Sequence, residues 1–459
     1  MNPLTASNIA ALAGGKIVSG DDAVIIQRVV TDSRLVQPGD LFVALKGPHF
    51  DAHAFIADVT TRGASAVMVD QSVASTATVI RVKDTLIGLQ SLAKNYRATL
   101  QCHVVGITGS NGKTSTKDLA AAVFSSQFSV SKTQGNLNNH IGLPMSVLAI
   151  DAAHEVAILE MGMNHGGEIA PLAAIAAPDV AIITNIGTAH IEFMKTQEAI
   201  ALEKAELAKA VSKTGVVVLN ANDAFTPMIA KLTKASVVTA GIKAGDVSAS
   251  ELSADHGGTT FTVTHGSEKL PAFLPIPGNH MVGNAMLAVA AGLAHGIPLQ
   301  RCVDALGKIQ LTSGRLEIKE IAGIHFLDDT YNANPDSMLA ALATLESIPG
   351  SGKRIAVLGA MGELGSYAEE GHRKVGAASQ DVDIMVTVGD TADWIADEAE
   401  KSAATHVIRT ADTRQAAAAL ISLLQPGDCV LVKGSRSARM EQVIQELTIS
   451  LQPIPSAKR

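Results

Sequence analysis

Residues 103–117 combine reactive side chains with the glycines needed to bring a backbone close to a ligand. His103-Val104-Val105-Gly106-Ile107-Thr108 is an apolar run that leads into Gly109-Ser110-Asn111-Gly112-Lys113-Thr114-Ser115-Thr116, and a helical pattern follows from Lys117. Strand, glycine-rich turn and helix start is the order that phosphate binding requires. Glycine lets backbone N–H groups approach phosphate oxygens, and the helix N-terminus adds a favourable dipole. In that arrangement Lys113 reaches the β- and γ-phosphates, and the Thr114 hydroxyl ligates Mg²⁺. The spacing is not a strict Walker A loop, because Ile107 stands at the first glycine position. A glycine turn carrying a chance Lys-Thr is the ordinary alternative, and the strand before and helix after weigh against it. ATP binding is the expectation.

Glu160 and His190 each stand at or just past the end of an apolar run. In an open α/β sheet, ligands collect at the carboxyl edge of the strands. A carboxylate and an imidazole there could hold a second divalent ion on the γ-phosphate and neutralise charge on a transferring phosphoryl group. Taken alone, the histidine fits a hydrogen-bonded loop equally well, and the glutamate fits a helix cap.

The elements that must position these groups follow an α/β pattern, with apolar runs alternating with amphipathic stretches as in buried parallel sheets. At 459 residues the chain is long enough for about three domains. Residues 1–84 hold short strands expected at Ile25–Thr31, Leu41–Leu45, Ala66–Val69 and Val79–Val82. Residues 85–312 open with a helical pattern through Leu100. Strands follow at His103–Thr108, Val156–Met161, Val180–Asn185 and Val216–Leu219, then an alternating polar stretch, Ser248–Lys269, typical of exposed antiparallel strands. Residues 313–459 repeat the α/β pattern at Arg354–Leu358, Ile384–Val388, Val407–Ile408 and Cys429–Val432.

Composition narrows the function class. Aromatics make up 3% and the net charge is −8, so neither stacking platforms nor a general basic footprint points to nucleic acid. Three scattered cysteines, Cys102, Cys302 and Cys429, fit small buried hydrophobes in a reduced compartment. The N-terminus lacks the basic and apolar regions of a signal peptide. The most apolar stretch, Ile169–Ile186, is broken by Pro171, Pro178 and Asp179 and reads as a helix followed by a buried strand, not a membrane span. A cytoplasmic protein without a membrane partner is expected.

The loop Thr108-Gly109-Ser110-Asn111-Gly112-Lys113-Thr114 resembles the ATP loop of the Mur ligases and their relatives the folylpolyglutamate synthases. The likeness extends over nearly the whole chain. Thr133-Gln134-Gly135-Asn136-Leu137-Asn138-Asn139-His140, Glu160-Met161-Gly162-Met163-Asn164 and Thr184-Asn185-Ile186-Gly187-Thr188-Ala189-His190 are similar to further family blocks in the same order. The resemblance implies a three-domain α/β fold: a small N-terminal domain binding a UDP-sugar-peptide, a central P-loop ATPase-like parallel-sheet domain and a C-terminal Rossmann-like domain. It implies Mg²⁺ at Glu160 and His190, two ions in all, and a carbamylated Lys204 as a further metal-binding anion. A lysine reacts with CO₂ only when unprotonated, which requires a depressed pKa. Without the resemblance, Lys204 reads as part of a solvated helix face.

The resemblance also places Asn284, in Pro277-Gly278-Asn279-His280-Met281-Val282-Gly283-Asn284, at the adenine side, where an N-cap is the bland alternative. It places Arg315 on phosphate, Asp329 on ribose, and Asn332 beside them in a third domain that swings over the nucleotide. Ser33 and Arg34, in Thr31-Asp32-Ser33-Arg34, serve the nucleotide-sugar on the same ground, and Asn136, Asn138 and Asn139 are assigned to substrate. Tyr331-Asn332-Ala333-Asn334-Pro335 is the most discriminating run. It is similar to the ligases that add D-Ala-D-Ala, whereas the ligase adding the third residue carries Tyr-Ala-His-Thr-Pro together with an Asp-Asn-Pro-Arg motif missing here. The implied substrates are ATP, UDP-N-acetylmuramoyl-tripeptide and D-Ala-D-Ala, handled by a monomer. Three departures stand out: Ala52 for a glycine, and Asn222 and Ala360 for aspartates. The first is expected to reshape a turn, and the other two bear on substrate contacts.

Overall fold

The computed structural model describes residues 1–401 and 405–451. Three large sheets form in succession. The first has five strands in the order Lys16–Ser19, Thr78–Arg81, Ala66–Val69, Asp40–Val43, Arg28–Val30. Only its Lys16–Ser19 edge is antiparallel. Asp40 opens a fully buried strand because Arg28 neutralises it with two hydrogen bonds of 2.9 and 2.7 Å. The single strand expected over Ile25–Thr31 divides in two. Ile25–Ile26 pairs with Leu4–Thr5, while Arg28–Val30 joins the main sheet.

Asp84 caps the next helix, Thr85–Arg97, by accepting from the Ile87 N–H at 2.8 Å. That helix leads into a nine-stranded sheet ordered Val130–Lys132, Val156–Glu160, His103–Thr108, Val180–Ile183, Val216–Asn220, Ser236–Ile242, Val247–Asp255, Gly258–His265, Glu268–Leu274. The first seven strands are parallel, and the last two add antiparallel pairs. The polar stretch does form antiparallel strands, but as an extension of the parallel sheet. Its alternation reflects one face that buries Ala249, Phe261, Val263 and Ala272. Ser236–Ile242, half-buried along most of its length, lacks the apolar continuity that marks its neighbours.

The third sheet runs Glu317–Ile321, Ile324–Asp329, Cys429–Lys433, Arg354–Gly359, Ile384–Val388, His406–Thr410, parallel apart from its first hairpin. Among the described residues, no helix is long and apolar enough to cross a membrane.

Candidate active site

The strands His103–Thr108, Val156–Glu160 and Val180–Ile183 lie side by side and parallel, so their carboxyl ends share one edge. The glycine-rich loop leaves that edge and turns at Gly112 (φ 77°), which opens the helix Lys113–Ser125. Gly109 must lack a side chain: a Cβ there would lie 1.8 Å from Thr184 Oγ1. The loop is held by the Ser110 N–H donating to the Asn185 carbonyl and the Asn111 N–H to Asn185 Oδ1, both at 2.9 Å. Thr108 faces inward, its hydroxyl donating to the Met161 carbonyl at 2.9 Å. Lys113 folds back over the loop and donates to the Gly109 carbonyl at 2.9 Å. Burial lowers its pKa and the Arg315 charge adds to that, while Glu160 opposes it.

Beside the loop, the Thr114 hydroxyl donates to Glu160 Oε2 at 2.9 Å, and Asn138 Nδ2 donates to Glu160 Oε1 at 2.7 Å. One oxygen of this buried carboxylate thus meets the phosphate loop and the other meets Asn138. Among the described residues, no group of three or more His, Cys, Asp or Glu gathers as a ready-made metal cage. Magnesium keeps waters and substrate phosphates and needs only one or two carboxylates from a protein, and Glu160 is the carboxylate at this edge. His190 sits in the left-handed region (φ 61°). Its buried Nδ1 lies 2.6 Å from Glu363 Oε2, and that contact holds the Glu363 carboxyl below its ordinary pKa.

Lys204, on the helix Gln197–Ala210, is 1% exposed, so it does not belong to a solvated face. Burial, reinforced by the Lys113 charge, lowers its pKa well below the ordinary lysine value. Glu203 beside it opposes the shift, but its carboxylate already accepts from the Gly167 and Ile169 N–H groups at 2.7 and 2.8 Å.

The third sheet supplies the opposite wall. Arg315 lies over the Tyr331 ring at 4.1 Å and donates from Nη2 to Thr114 Oγ1 at 3.1 Å, while its buried Nε has no partner. A planar guanidinium held by stacking, with a free donor beside a phosphate loop, suits an anionic oxygen. Lys433 donates to Asp329 Oδ2 at 2.6 Å and to the Asn332 carbonyl at 2.9 Å. Asn334 donates to Asn111 Oδ1 at 2.6 Å, and Asp336 accepts from the Thr188 N–H and hydroxyl.

A cavity of about 1110 Å³ results. It brings together Ser110, Asn111, Gly112, Lys113, Thr114 and Ser115 with Asn136, Asn138, Asn139, Glu160, His190, Asn284, Arg315, Asp329 and Asn332. Thr108, Gly109 and Lys204 support its walls without lining it. Ser33 and Arg34 are not among its lining residues; they form a short turn capped by Asp32, with Arg34 exposed and paired to Asp32 at 2.6 Å. Asn284 is a buried mid-helix residue of Asn279–Ala294, not an N-cap.

His280, Asp336, Glu363 and Lys433 also line the cavity. His280 lies within the run Pro277–Asn284 and Asp336 directly follows Tyr331–Pro335, and only the fold turns all four inward. Burial lowers the His280 pKa to about 4, with Lys433 adding to the shift and Asp329 opposing it, which keeps the ring neutral. Of the departures, Ala52 is buried in the short helix Ala52–Phe55 without left-handed backbone, so alanine fits there. Asn222 exchanges two hydrogen bonds with the Ile242 backbone, and Ala360 accepts from the Ser435 N–H.

Comparison with known proteins places this geometry. The Mur ligase middle domain matches residues 107–292, and the Mur ligase glutamate ligase domain matches residues 314–436. The UDP-N-acetylmuramoyl-tripeptide–D-alanyl-D-alanine ligase of Bacillus subtilis is 39% identical, with 96% of this chain and 98% of the relative covered. The Escherichia coli protein of the same name is 34% identical over 97% and 99%. A crystal structure of MurF from Acinetobacter baumannii superposes with a TM-score of 0.91 at 34% identity, covering 98% and 99%. MurF from Thermotoga maritima, solved in complex with ADP, gives 0.84 at 30%, covering 93% and 98%. An identity above 30% sustained along almost the full length of both chains makes this protein a Mur ligase, in the family of UDP-N-acetylmuramoyl-tripeptide–D-alanyl-D-alanine ligases.

Proposed function

We propose that the protein uses ATP to join D-Ala-D-Ala to the tripeptide carboxylate of UDP-N-acetylmuramoyl-tripeptide. The products are UDP-N-acetylmuramoyl-pentapeptide, ADP and phosphate, made in the course of peptidoglycan synthesis. The observation that carries this reading is the joint presence of a buried Lys113 loop, the Arg315 and Asp329 wall facing it, and full-length likeness to ligases of that name. In this assignment residues 1–84 bind the UDP-sugar-peptide through Ser33 and Arg34, residues 85–312 bind ATP, and residues 313–459 complete the site. The protein works as a cytoplasmic monomer.

A carboxylate resists attack by amines because its carbon is weakly electrophilic and its leaving group poor. The tripeptide carboxylate attacks the γ-phosphate, ADP leaves, and an acyl phosphate forms. Lys113 and Arg315 meet the charge that develops on the transferring phosphoryl oxygens. The D-Ala-D-Ala amine then attacks the acyl carbon, and phosphate departs from the tetrahedral intermediate. Asn136, Asn138 and Asn139 orient the substrate, and Asn284 reads the adenine edge. Thr114, Glu160 and His190, with Lys204 as its carbamate, would hold two magnesium ions, which would supply charge neutralisation on the β- and γ-phosphates.

The test is ADP release with ATP, Mg²⁺ and UDP-N-acetylmuramoyl-tripeptide, with and without D-Ala-D-Ala, alongside mass spectrometry. Release that depends on both substrates, with the pentapeptide mass appearing, is expected. ADP release driven by a single amino acid, with no pentapeptide, would move the protein to another acceptor.

A further inference from the structure

Outside the site, Asp118 is a heavily engaged buried charge whose carboxylate makes no contact with the cavity-lining phosphate loop residues. It lies on the phosphate-loop helix, Lys113–Ser125, with its side chain 1% exposed. Oδ1 accepts from Lys132 Nζ at 2.7 Å and faces Lys117 Nζ at 3.6 Å. Oδ2 accepts from both the backbone N–H and the hydroxyl of Thr312, at 2.9 and 2.7 Å. Thr312 belongs to the segment between the helix Leu299–Leu306 and the strand Glu317–Ile321, where the chain passes from the central sheet to the third.

The spacing gives these contacts meaning. Asp118 is four residues beyond Thr114, one turn along the same helix face. Arg315 is three residues beyond Thr312. The linker therefore crosses the helix on two successive rungs, Thr312 on Asp118 and Arg315 on Thr114. Between and beyond them, Gly314 (φ 75°) and Leu316 (φ 51°) take left-handed backbone, the second a strained choice for leucine. Before them, Lys308, Ile309 and Gln310 border a cavity of about 440 Å³ with Asp118 and Lys132 also on its wall. Ile309 and Leu311 pack on the core, and Thr312 adds the polar anchor beside them.

We infer that Asp118 is a positioning residue for the reaction: by clasping Thr312 it sets the path of the interdomain linker so that Arg315 arrives at the phosphate loop. The helix that begins at the phosphates thus carries the anchor of the arm that reaches over them. Burial alone would raise the carboxyl pKa of Asp118; Lys117, Lys132 and Thr312 outweigh it and hold the group below its ordinary value, which keeps the clasp ionic.

The inference rests on the ligase reading, and its test separates the two. Thr312→Val removes one donor with little change of shape, and Asp118→Asn removes the charge while keeping an acceptor. Each is combined with Arg315→Ala in a double-mutant cycle read on ADP release and on nucleotide affinity. Thr312→Val is expected to lower kcat about 10-fold with nucleotide affinity within about two-fold and melting temperature nearly unchanged. In the Arg315→Ala background it should add almost nothing, because its effect passes through Arg315. Fully additive losses, or an equal loss of nucleotide affinity, would overturn the clasp. If Asp118→Asn fails to fold, Thr312→Val decides alone. Parental protein that releases no ADP sinks the ligase reading instead, and small-angle scattering then tests the clasp. Loosening of the closed nucleotide-bound form in Thr312→Val supports it, and an unchanged profile overturns it.

Discussion

Lys204 shows how a side chain can work against the stability of its own fold. Its amine is buried without a free carboxylate and its pKa is well below the ordinary lysine value. Between that depressed value and about 10.4, the unfolded chain holds one more proton than the folded one. Folded stability therefore rises with pH through this window and is lost as pH falls. Lys204→Met, compared with the parent in bicarbonate-free buffer, is expected to gain about 1–3 kcal/mol at neutral pH and to flatten the dependence of melting temperature on pH. ADP release should fall about 10²-fold or more, as for other groups that stabilise transition-state charge. A melting curve that keeps the parental slope with pH would show that Lys204 is not the group responsible. Nothing in Ile200-Ala201-Leu202-Glu203-Lys204-Ala205 announces a buried amine, because a lysine beside a glutamate in a helical pattern reads as an ordinary solvated position. Only the packing of this helix against the sheet reveals it.

The strand, loop and helix around residues 103–125 were the most legible part of the chain, because their apolar run, glycines and helix start are all local. His103–Thr108 has its expected bounds, and Thr85–Arg97 begins where Asp84 can cap it. Ser236–Ile242 was not legible: it sits between two parallel neighbours yet is half-buried, and its sequence lacks the unbroken apolar character of a central strand. The pairing of Glu317–Ile321 with Ile324–Asp329 was hidden in the same way, since a two-residue turn between charged strands leaves little pattern. Within the loop, backbone shape carries the function. Gly109→Ala would drive a Cβ into Thr184 Oγ1, and that hydroxyl is already committed to the Asn111 carbonyl at 2.5 Å. The substitution is expected to weaken ATP binding at least about 10-fold, the equivalent of about 1.4 kcal/mol, with a lowered melting temperature. Titration calorimetry with a non-hydrolysable ATP analogue measures it, and parental affinity would show that the loop tolerates displacement.

The central and third sheets meet at one cavity, and several of the contacts that hold it shut join residues far apart in sequence. Arg315 to Thr114, Asn334 to Asn111 and Asp336 to Thr188 are all of this kind. Asp336 is the most telling, because it stands in the first turn of the helix Pro335–Ser347, whose N-cap Asn334 also reaches the phosphate loop. Its Oδ2 accepts from the Thr188 N–H at 2.7 Å and from the hydroxyl at 2.9 Å. Gly187 leaves no room for a side chain, since a Cβ there would fall 2.4 Å from the same oxygen. Thr188 is two residues before His190, so this one carboxylate ties the third sheet to the segment that carries the imidazole. Closure that excludes water protects an acyl phosphate from hydrolysis. Loosening it should therefore cost coupling as well as speed. Asp336→Ala is expected to lower ligation about 10- to 100-fold, to leave nucleotide affinity within about two-fold, and to raise the ADP released per peptide bond formed above one. Asp336→Asn, which keeps an acceptor for the Thr188 N–H, should fall between the two. Measuring ADP and ligated product in the same reaction separates the possibilities. A slower enzyme that still makes one bond per ADP would mean that this contact assembles the site without sealing it, and a fall in nucleotide affinity to match the rate would mean that it does neither.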